Sequence, residues 1–148
     1  MQHKTELIVG ILIAIVALAV ILLTQADAEQ PLTDHDLHQQ LSDLNSFAVE
    51  VSLLLDQYAQ DKLDFNYVKY QAQQIDKNIN DFYTQLESTT VDAGQKNEVS
   101  SVETLIFQFG LQLKFIESSQ GDSAKLGQIR QSIQQLHQQI TESEQHYA

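Results

Sequence analysis

Four segments of the sequence carry apolar residues at alternating spacings of three and four positions, and this pattern constrains the fold more than any other feature. A three-four repeat averages 3.5 residues and keeps one apolar seam of an α-helix against a neighbouring helix at a shallow angle, as in a coiled coil. The sequence therefore predicts four helices of nearly equal length, packed through these seams. The seams consist of Leu37, Leu41, Leu44, Ala48, Val51, Leu55 and Tyr58; Phe65, Val68, Ala72, Ile75, Ile79, Phe82 and Leu86; Val99, Val102, Ile106, Phe109, Leu113 and Ile116; and Leu126, Ile129, Ile133, Leu136, Ile140, Ser143 and Tyr147.

Short connections separate the four segments, around residues 61–64, 88–94 and 119–122. Short connections favour antiparallel neighbours, so the predicted domain is an up-down-up-down four-helix bundle over residues 33–148. The chain has one Pro and five Gly, which are few turn-forming residues for an all-β fold with its many tight turns. The expected fold class is therefore all-α.

Capping patterns support the proposed helix starts. Thr33 with Asp36, and Asp92 with Gln95, have the spacing of a capping box, in which each side chain bonds the backbone N–H of the other residue. Asp64 sits between Leu63 and Val68 as a hydrophobic staple requires, which places Asp64 as the N-cap of the second helix. These patterns predict where the first three helices begin.

A long apolar run precedes the bundle. Residues 7–23 contain 17 consecutive apolar residues, which meets the lower length limit for crossing a bilayer. Lys4 precedes this run and acidic residues follow it, so the positive-inside rule places the N-terminus in the cytoplasm. We expect a cytoplasmic segment at 1–6, a transmembrane signal-anchor helix at 7–25 and a linker at 26–32. The expected location is the inner (cytoplasmic) membrane, with a single pass and the bundle in the periplasm or outside.

Two details of this segment leave more than one interpretation open. The Ala-Asp-Ala sequence at residues 26–28 has the form of a signal-peptidase site, so cleavage after Ala28 is an alternative to a retained anchor. Gly10, Ala14 and Ala17 share one side of the predicted helix and would allow a second membrane helix to approach closely. Small residues are also common in apolar segments for no such reason.

Composition excludes several classes of function. The net charge is −12, and so acidic a surface repels phosphate backbones, which argues against nucleic-acid binding. The chain has no Cys, which removes thiol nucleophiles, disulfides and cysteine metal sites. Di-iron bundles require Glu residues that point into the core, but no Glu occupies a seam here. No Gly-rich phosphate loop occurs either. We therefore expect a protein that is not an enzyme and has no required cofactor.

One histidine cluster could bind a metal or haem. The start of the first helix should lie beside the end of the fourth, which would gather His35, His38 and His146 at one end of the bundle. His35 and His38 are three positions apart, so one helix face can offer both to a metal. The alternative is a solvated, acid-flanked histidine cluster at a frayed end of the bundle.

Parts of the first and last helical segments resemble the cytochrome b562 family of periplasmic four-helix bundles. The similar stretches are Asp36-Leu37…Leu44-Asn45 and Gln135-Leu136…Gln145-x-Tyr147. The resemblance implies the same architecture, in which the family holds haem between a Met on the first helix and a His near the end of the fourth. Here the corresponding positions are Leu41 and Glu144, and the sole Met is Met1, so that ligand pair is missing. Ligation through His38 and His146 would require both side chains to turn inward.

Several apolar residues fall outside the seams. Phe107, Leu111 and Phe115 follow one another at i, i+4 and i+8 on the side of the third helix opposite its seam. Val49 and Leu53 face away from the seam of the first helix. These five residues are the candidate partner-binding surface, because exposed apolar patches mark interaction sites. The alternative is a wider core that buries them.

The sequence favours a non-catalytic, membrane-anchored periplasmic bundle that acts as an accessory or assembly subunit of an inner-membrane protein complex. Its expected partners are integral membrane or periplasmic protein subunits. One alternative is an acidic binding inhibitor of a basic protein, similar to an immunity protein, since opposite charge accelerates association. A haem- or metal-binding bundle and a sensory bundle are also open. A homodimer is open as well, because clean heptads pair readily with a second copy.

Overall fold

The computed structural model describes residues 32–89, 91 and 93–147. These residues form four α-helices in a bundle, and the described part of the chain contains no strand. The predicted all-α class and the four helices are confirmed. The helices are α1 at Asp34–Ala59, α2 at Phe65–Ser88, α3 at Lys96–Ser118 and α4 at Ser123–His146.

The helices follow one another around the bundle, and α1 closes the ring by packing against α4. The most extensive contacts join α1 with α4 and α2 with α3, while α1 and α3 meet across the core. The α1–α4 pair is antiparallel: in the first half of α1, Asn45 donates to a carboxylate oxygen of Glu144, near the end of α4, at 2.9 Å. At the other end of this pair, the Tyr58 hydroxyl donates to the carbonyl oxygen of Gly121 at 2.8 Å. The sequence separates these partners widely, so the pairing is set by tertiary packing.

The core consists of the predicted seams. Each of the four seams has most of its members buried, and the largest side chains with almost no exposure include Phe109, Leu41 and Ile133. Phe65, Phe82 and Tyr147 lie at the margin and pack against this core. Burial of a Leu, Ile, Val or Phe side chain stabilises the fold by about 1.5–3 kcal/mol, so the seams supply most of the stability.

The core is wider than the seams in two helices. Leu54 of α1 and Leu105 of α3 lie beside their seams and are also buried, at 9% and 8% exposure. Leu32, which precedes the first helix, joins the same core. The wider core therefore accounts for part of the surplus apolar content of α1 and α3.

Two of the three predicted helix starts are confirmed. Thr33 and Asp36 form the capping box, in which the Asp36 N–H donates to Thr33 Oγ1 at 3.2 Å and the Thr33 N–H donates to Asp36 Oδ2 at 2.9 Å. Asp64 is the N-cap of α2 and accepts from the N–H of Tyr67 at 2.9 Å. The third predicted start is wrong, because α3 begins at Lys96 with Gln95 as its N-cap, whereas the predicted box needs Gln95 inside the helix; Asp92 itself lies outside the described residues.

The predictions for the N-terminal segment lie outside the described residues. They are the cytoplasmic segment at 1–6, the membrane helix at 7–25, cleavage after Ala28 and the small residues Gly10, Ala14 and Ala17. Among the residues that the structure describes, no helix combines the length and the hydropathy needed to cross a membrane.

Candidate protein-contact surface

The outward face of α3 carries an exposed apolar stripe, formed by Phe107, Leu111 and Phe115. Phe107 is 61% exposed and Phe115 is 52% exposed, while Leu111 between them is partly buried. Residues four apart in an α-helix are neighbours on one face, so the three side chains form a continuous ridge. The seam of α3 fills the core on the other side, which leaves the ridge without a partner inside the described residues.

A groove borders the ridge on the α2 side. It has a volume of about 250 Å³, and its walls include Ile79, Tyr83 and Lys114. Gly110 keeps this groove open, since a Cβ at this position would lie 3.7 Å from Asp76 Oδ1 and 3.8 Å from Ile79 Cγ2. This surface can therefore receive a side chain from outside as well as offer the ridge itself.

A second groove borders the ridge on the α4 side. It has a volume of about 400 Å³ and is lined by Phe115, Ile129 and Lys125, among others. Leu111 contributes to a third, smaller depression between the same two helices. The stripe is thus a ridge between two shallow grooves, a shape that suits the packing of another helix.

Charges differ at the two ends of the stripe. Lys114 and Lys125 lie in the grooves toward the C-terminal end of α3. Toward the N-terminal end, Tyr83 lies near Glu87 and Glu103. The negative charge of Glu87 raises the pKa of this phenol above its usual 10.0, and Glu103 acts in the same direction. The stripe therefore runs from an acidic environment to one of mixed charge, where Asp76 and Glu117 accompany the lysines.

Val49 and Leu53 do not lie on this surface. They are 52% and 55% exposed on the outward side of α1, as expected. However, α1 and α3 occupy opposite corners of the bundle, with the core between them. The structure therefore separates the five candidate residues into an α3 stripe and an isolated α1 pair.

The structure does not bring His35, His38 and His146 together as a metal site. His35 and His146 are exposed, and His38 is partly buried, with an Nδ1 atom that has no hydrogen-bond partner among the described residues. The ring of His146 lies edge-on to Tyr147, with ring centroids 5.2 Å apart. Within the described ranges, no three His, Asp or Glu side chains are placed to hold a metal ion.

The positions that correspond to the haem ligands of the cytochrome b562 family have structural roles here. Leu41 is completely buried in the core. Glu144 is partly buried and accepts a hydrogen bond from Asn45. Neither side chain is a haem ligand, and His146 lies on the surface rather than in the core.

The same end of the bundle is acidic. A shallow depression of about 530 Å³ between α3 and α4 is lined by Glu98, Glu142 and His146, among others. Partial burial raises the pKa of Tyr147 above its usual 10.0, and the negative charges of Glu98 and Asp34 add to this effect. A cationic surface would be attracted to this end.

The chain matches no protein-family model, no curated protein and no solved structure. The geometry of its exposed surfaces therefore carries the functional interpretation.

Proposed function

We propose that this chain is a non-catalytic, membrane-anchored helical bundle in the periplasm, and that it acts as an accessory or assembly subunit of an inner-membrane protein complex. The apolar run at residues 7–23 supports the anchor, since its length and flanking charges suit a helix that crosses the bilayer once. The contact with other subunits is made by the α3 stripe.

The exposure of Phe107 and Phe115 is the observation that carries this proposal. The seam residues of α3, such as Phe109, are fully buried in the core. The exposure of Phe107 and Phe115 is therefore not the result of an incomplete core. A contiguous apolar ridge with polar margins is typical of a protein contact surface. Covering a Phe or Leu side chain is worth about 1.5–3 kcal/mol, so three of them contribute substantially to an interface.

The proposal is tested by native mass spectrometry of the untagged full chain, extracted from its own membranes in mild detergent. The unaltered chain should retain Met1 and appear in an assembly larger than one copy. Replacing the two aromatic residues together, Phe107→Ser with Phe115→Ser, should reduce this assembly to the single chain, because serine removes the apolar contact area without changing the charge.

The matched control is Val49→Ser with Leu53→Ser, which removes two similarly exposed apolar side chains from the opposite corner of the bundle. This variant should keep the assembly intact, and circular dichroism should show native helix content in both double variants. An unchanged assembly in the α3 variant would contradict the proposal, and a lone species that begins at Glu29 would replace the anchor with a cleaved signal.

A second candidate is an acidic inhibitor that binds a basic protein. The observation that favours it is the acidic end of the bundle, where Glu98 and Glu142 line a depression and Asp34 lies nearby. Association with a basic partner should then slow steeply as salt concentration rises, because screening removes the electrostatic attraction. A partner whose association rate is independent of salt would contradict this candidate.

A further inference from the structure

The α3 stripe is almost symmetric about its central residue. Phe107 and Phe115 lie four positions before and after Leu111, and Thr104 and Ser118 lie seven positions before and after it. A two-fold axis that passes beside Leu111, perpendicular to the helix axis, would therefore relate two copies of the stripe. Phe107 of one copy would face Phe115 of the other, and Thr104 would face Ser118. Such self-complementary patches are what a two-fold interface between identical chains requires.

The bundle also has an uneven distribution of charge along its axis. Among the described residues, every Lys and Arg except Lys96 lies at the middle of the bundle or toward the end formed by the α1–α2 and α3–α4 turns. The opposite end is acidic. Its acidic residues are Asp34, Asp36, Asp43, Asp81, Glu87, Glu98, Glu103, Glu142 and Glu144. The half with most of the Lys and Arg residues is close to neutral, since it also carries acidic residues, namely Glu50, Asp56, Asp61, Asp64, Asp76, Glu117 and Asp122. Two bundles packed side by side in opposite directions would place this near-neutral half of each against the acidic half of the other. A parallel pair would set the two acidic halves against each other, where like charges repel.

From this symmetry and this charge pattern, we propose that the subunit bound to the α3 stripe is a second copy of this chain, packed antiparallel with a two-fold axis beside Leu111. This inference rests on the proposed function, since it uses the same contact surface and names its occupant. Phe107 of each copy packs against Phe115 of the other, and the two Leu111 side chains meet at the axis.

The arrangement also pairs specific charges. With a rise of about 1.5 Å per residue, Lys114 of one copy lies about 7.5 Å along the axis from Glu103 of the other, within reach of the two side chains. Both residues lie on the α2 side of the stripe, close to the groove at Gly110. A parallel pair would instead put the α2 sides of the two stripes on opposite sides of the contact, so that Lys114 and Glu103 could not meet.

Cysteine cross-linking tests the axis directly, because the chain contains no Cys of its own. Helices packed at about 8–10 Å bring facing Cα atoms within the range that a disulfide can span. Oxidation of the full-length Leu111→Cys chain in its own membranes should give a covalent dimer. Phe107→Cys mixed with Phe115→Cys should cross-link more than fivefold better than either variant alone.

Leu53→Cys on α1 is the matched control, since Leu53 is 55% exposed and lies away from the stripe. It should form less than a tenth of the dimer formed by Leu111→Cys. Charge reversal provides a second readout that leaves the apolar contact intact. Glu103→Lys or Lys114→Glu alone should weaken the dimer by about two- to tenfold, and the two together should restore it.

The outcomes separate this inference from the proposed function. Efficient cross-linking of Phe107→Cys to itself would indicate a parallel pair and overturn the inference. A cysteine-to-amine cross-linker is also applied to the Leu111→Cys chain. If it couples this chain only to a different protein, the occupant is not a second copy, and the proposed function still stands. Absence of any cross-link, together with an unchanged assembly in the double serine variant, would overturn both.

Discussion

Phe107 and Phe109 are two positions apart on the same helix and have opposite surroundings. Phe109 is completely buried, whereas Phe107 is 61% exposed. An α-helix turns by about 100° per residue, so two positions rotate a side chain by about 200°, from the core to the outside of the bundle. Apolar character alone therefore does not determine whether a residue lies in the core. Its angular position on the helix, relative to the seam, determines this.

The comparison assigns two separate roles to one helix. The inner face of α3 holds the fold together, because its residues lose nearly all their contact with water. The outer face leaves Phe107 and Phe115 in water, so these residues add little to folding, and in the proposed function they bind another protein. Substitutions on the two faces should therefore change different measured quantities.

The largest effect is expected for Phe109→Ala. Removing a fully buried ring loses its transfer free energy and leaves a cavity, which should lower the free energy of unfolding by about 3–5 kcal/mol. Urea unfolding of the full chain, followed by circular dichroism, measures this change. Phe107→Ala is the matched variant on the other face, and an equal loss there would contradict the division of roles.

A smaller decrease in the free energy of unfolding is expected for Thr33→Ala. This variant tests how much helix capping contributes to stability beyond the packing of the core. Thr33 caps α1 through the Asp36 box, and loss of such a cap costs about 0.5–2 kcal/mol. The same unfolding measurement should therefore show a smaller decrease than for Phe109→Ala. A loss as large as that of Phe109→Ala would mean that the inner face of α3 does not dominate the stability.

The capping contribution should depend on pH. Hydrogen bonds from Thr33 lower the pKa of Asp36 below its usual 3.8, since they favour the carboxylate. A group whose pKa is lower in the folded state stabilises the fold above its unfolded pKa and loses this effect as the pH falls through the folded value. The gap between the wild-type chain and Thr33→Ala should thus be constant well above the usual pKa of Asp36 and narrow below it.

Gly110→Ala should stabilise the bundle by about 0.5–1 kcal/mol, because alanine reduces the backbone entropy of the unfolded chain. The new Cβ would meet its neighbours at 3.7–3.8 Å, an ordinary contact. Gly121→Ala is the contrasting control. At Gly121 φ is +79°, and a Cβ would lie 3.2 Å from Tyr58 Oη, so this variant should be destabilised. A loss of stability at Gly110 would mean that the groove beside the stripe is tighter than described.

The smallest change in stability is expected for Phe107→Ser. Its side chain is mostly exposed, so the free energy of unfolding should stay within about 0.5 kcal/mol of the wild-type value when both are measured at concentrations where the chain is dissociated. Sedimentation at higher concentrations should nevertheless show weaker association of the variant. A fall in stability larger than about 1.5 kcal/mol would place Phe107 with the core and remove the distinction between the two faces.

Much of the fold could be predicted because the seams are local patterns. The spacing that places Leu41 or Ile133 on one helix face depends only on the 3.6-residue turn, and both residues are buried. The start of α3 could not be predicted in the same way. Asp92 and Gln95 have the spacing of a capping box, but in the structure Gln95 precedes the helix and donates to Asp34 of α1 at 3.0 Å. This contact with another helix leaves no trace in the local sequence.

The candidate surface could be predicted only in part. The exposure of Phe107 and Val49 follows from their phase relative to the seams. The separation of the α1 pair from the α3 stripe depends on which helices share a corner of the bundle, and this is a property of the packed fold. The groove at Gly110 could not be predicted for a related reason, since a glycine within a helix opens a groove only where a neighbouring helix faces it.

The extensive pairing of α1 with α4 has a consequence for the nascent chain. The hydrogen bond between Asn45 and Glu144 joins residues that are 99 positions apart, so α1 is synthesised long before its main partner. The α2–α3 hairpin can form early, because its two helices follow each other directly. Until α4 is complete, the leucine seam of α1 is only partly covered, and a chain interrupted before Ser123 presents it to chaperones and proteases. Synthesis of α4 therefore determines when the apolar seam of α1 is covered and no longer promotes aggregation.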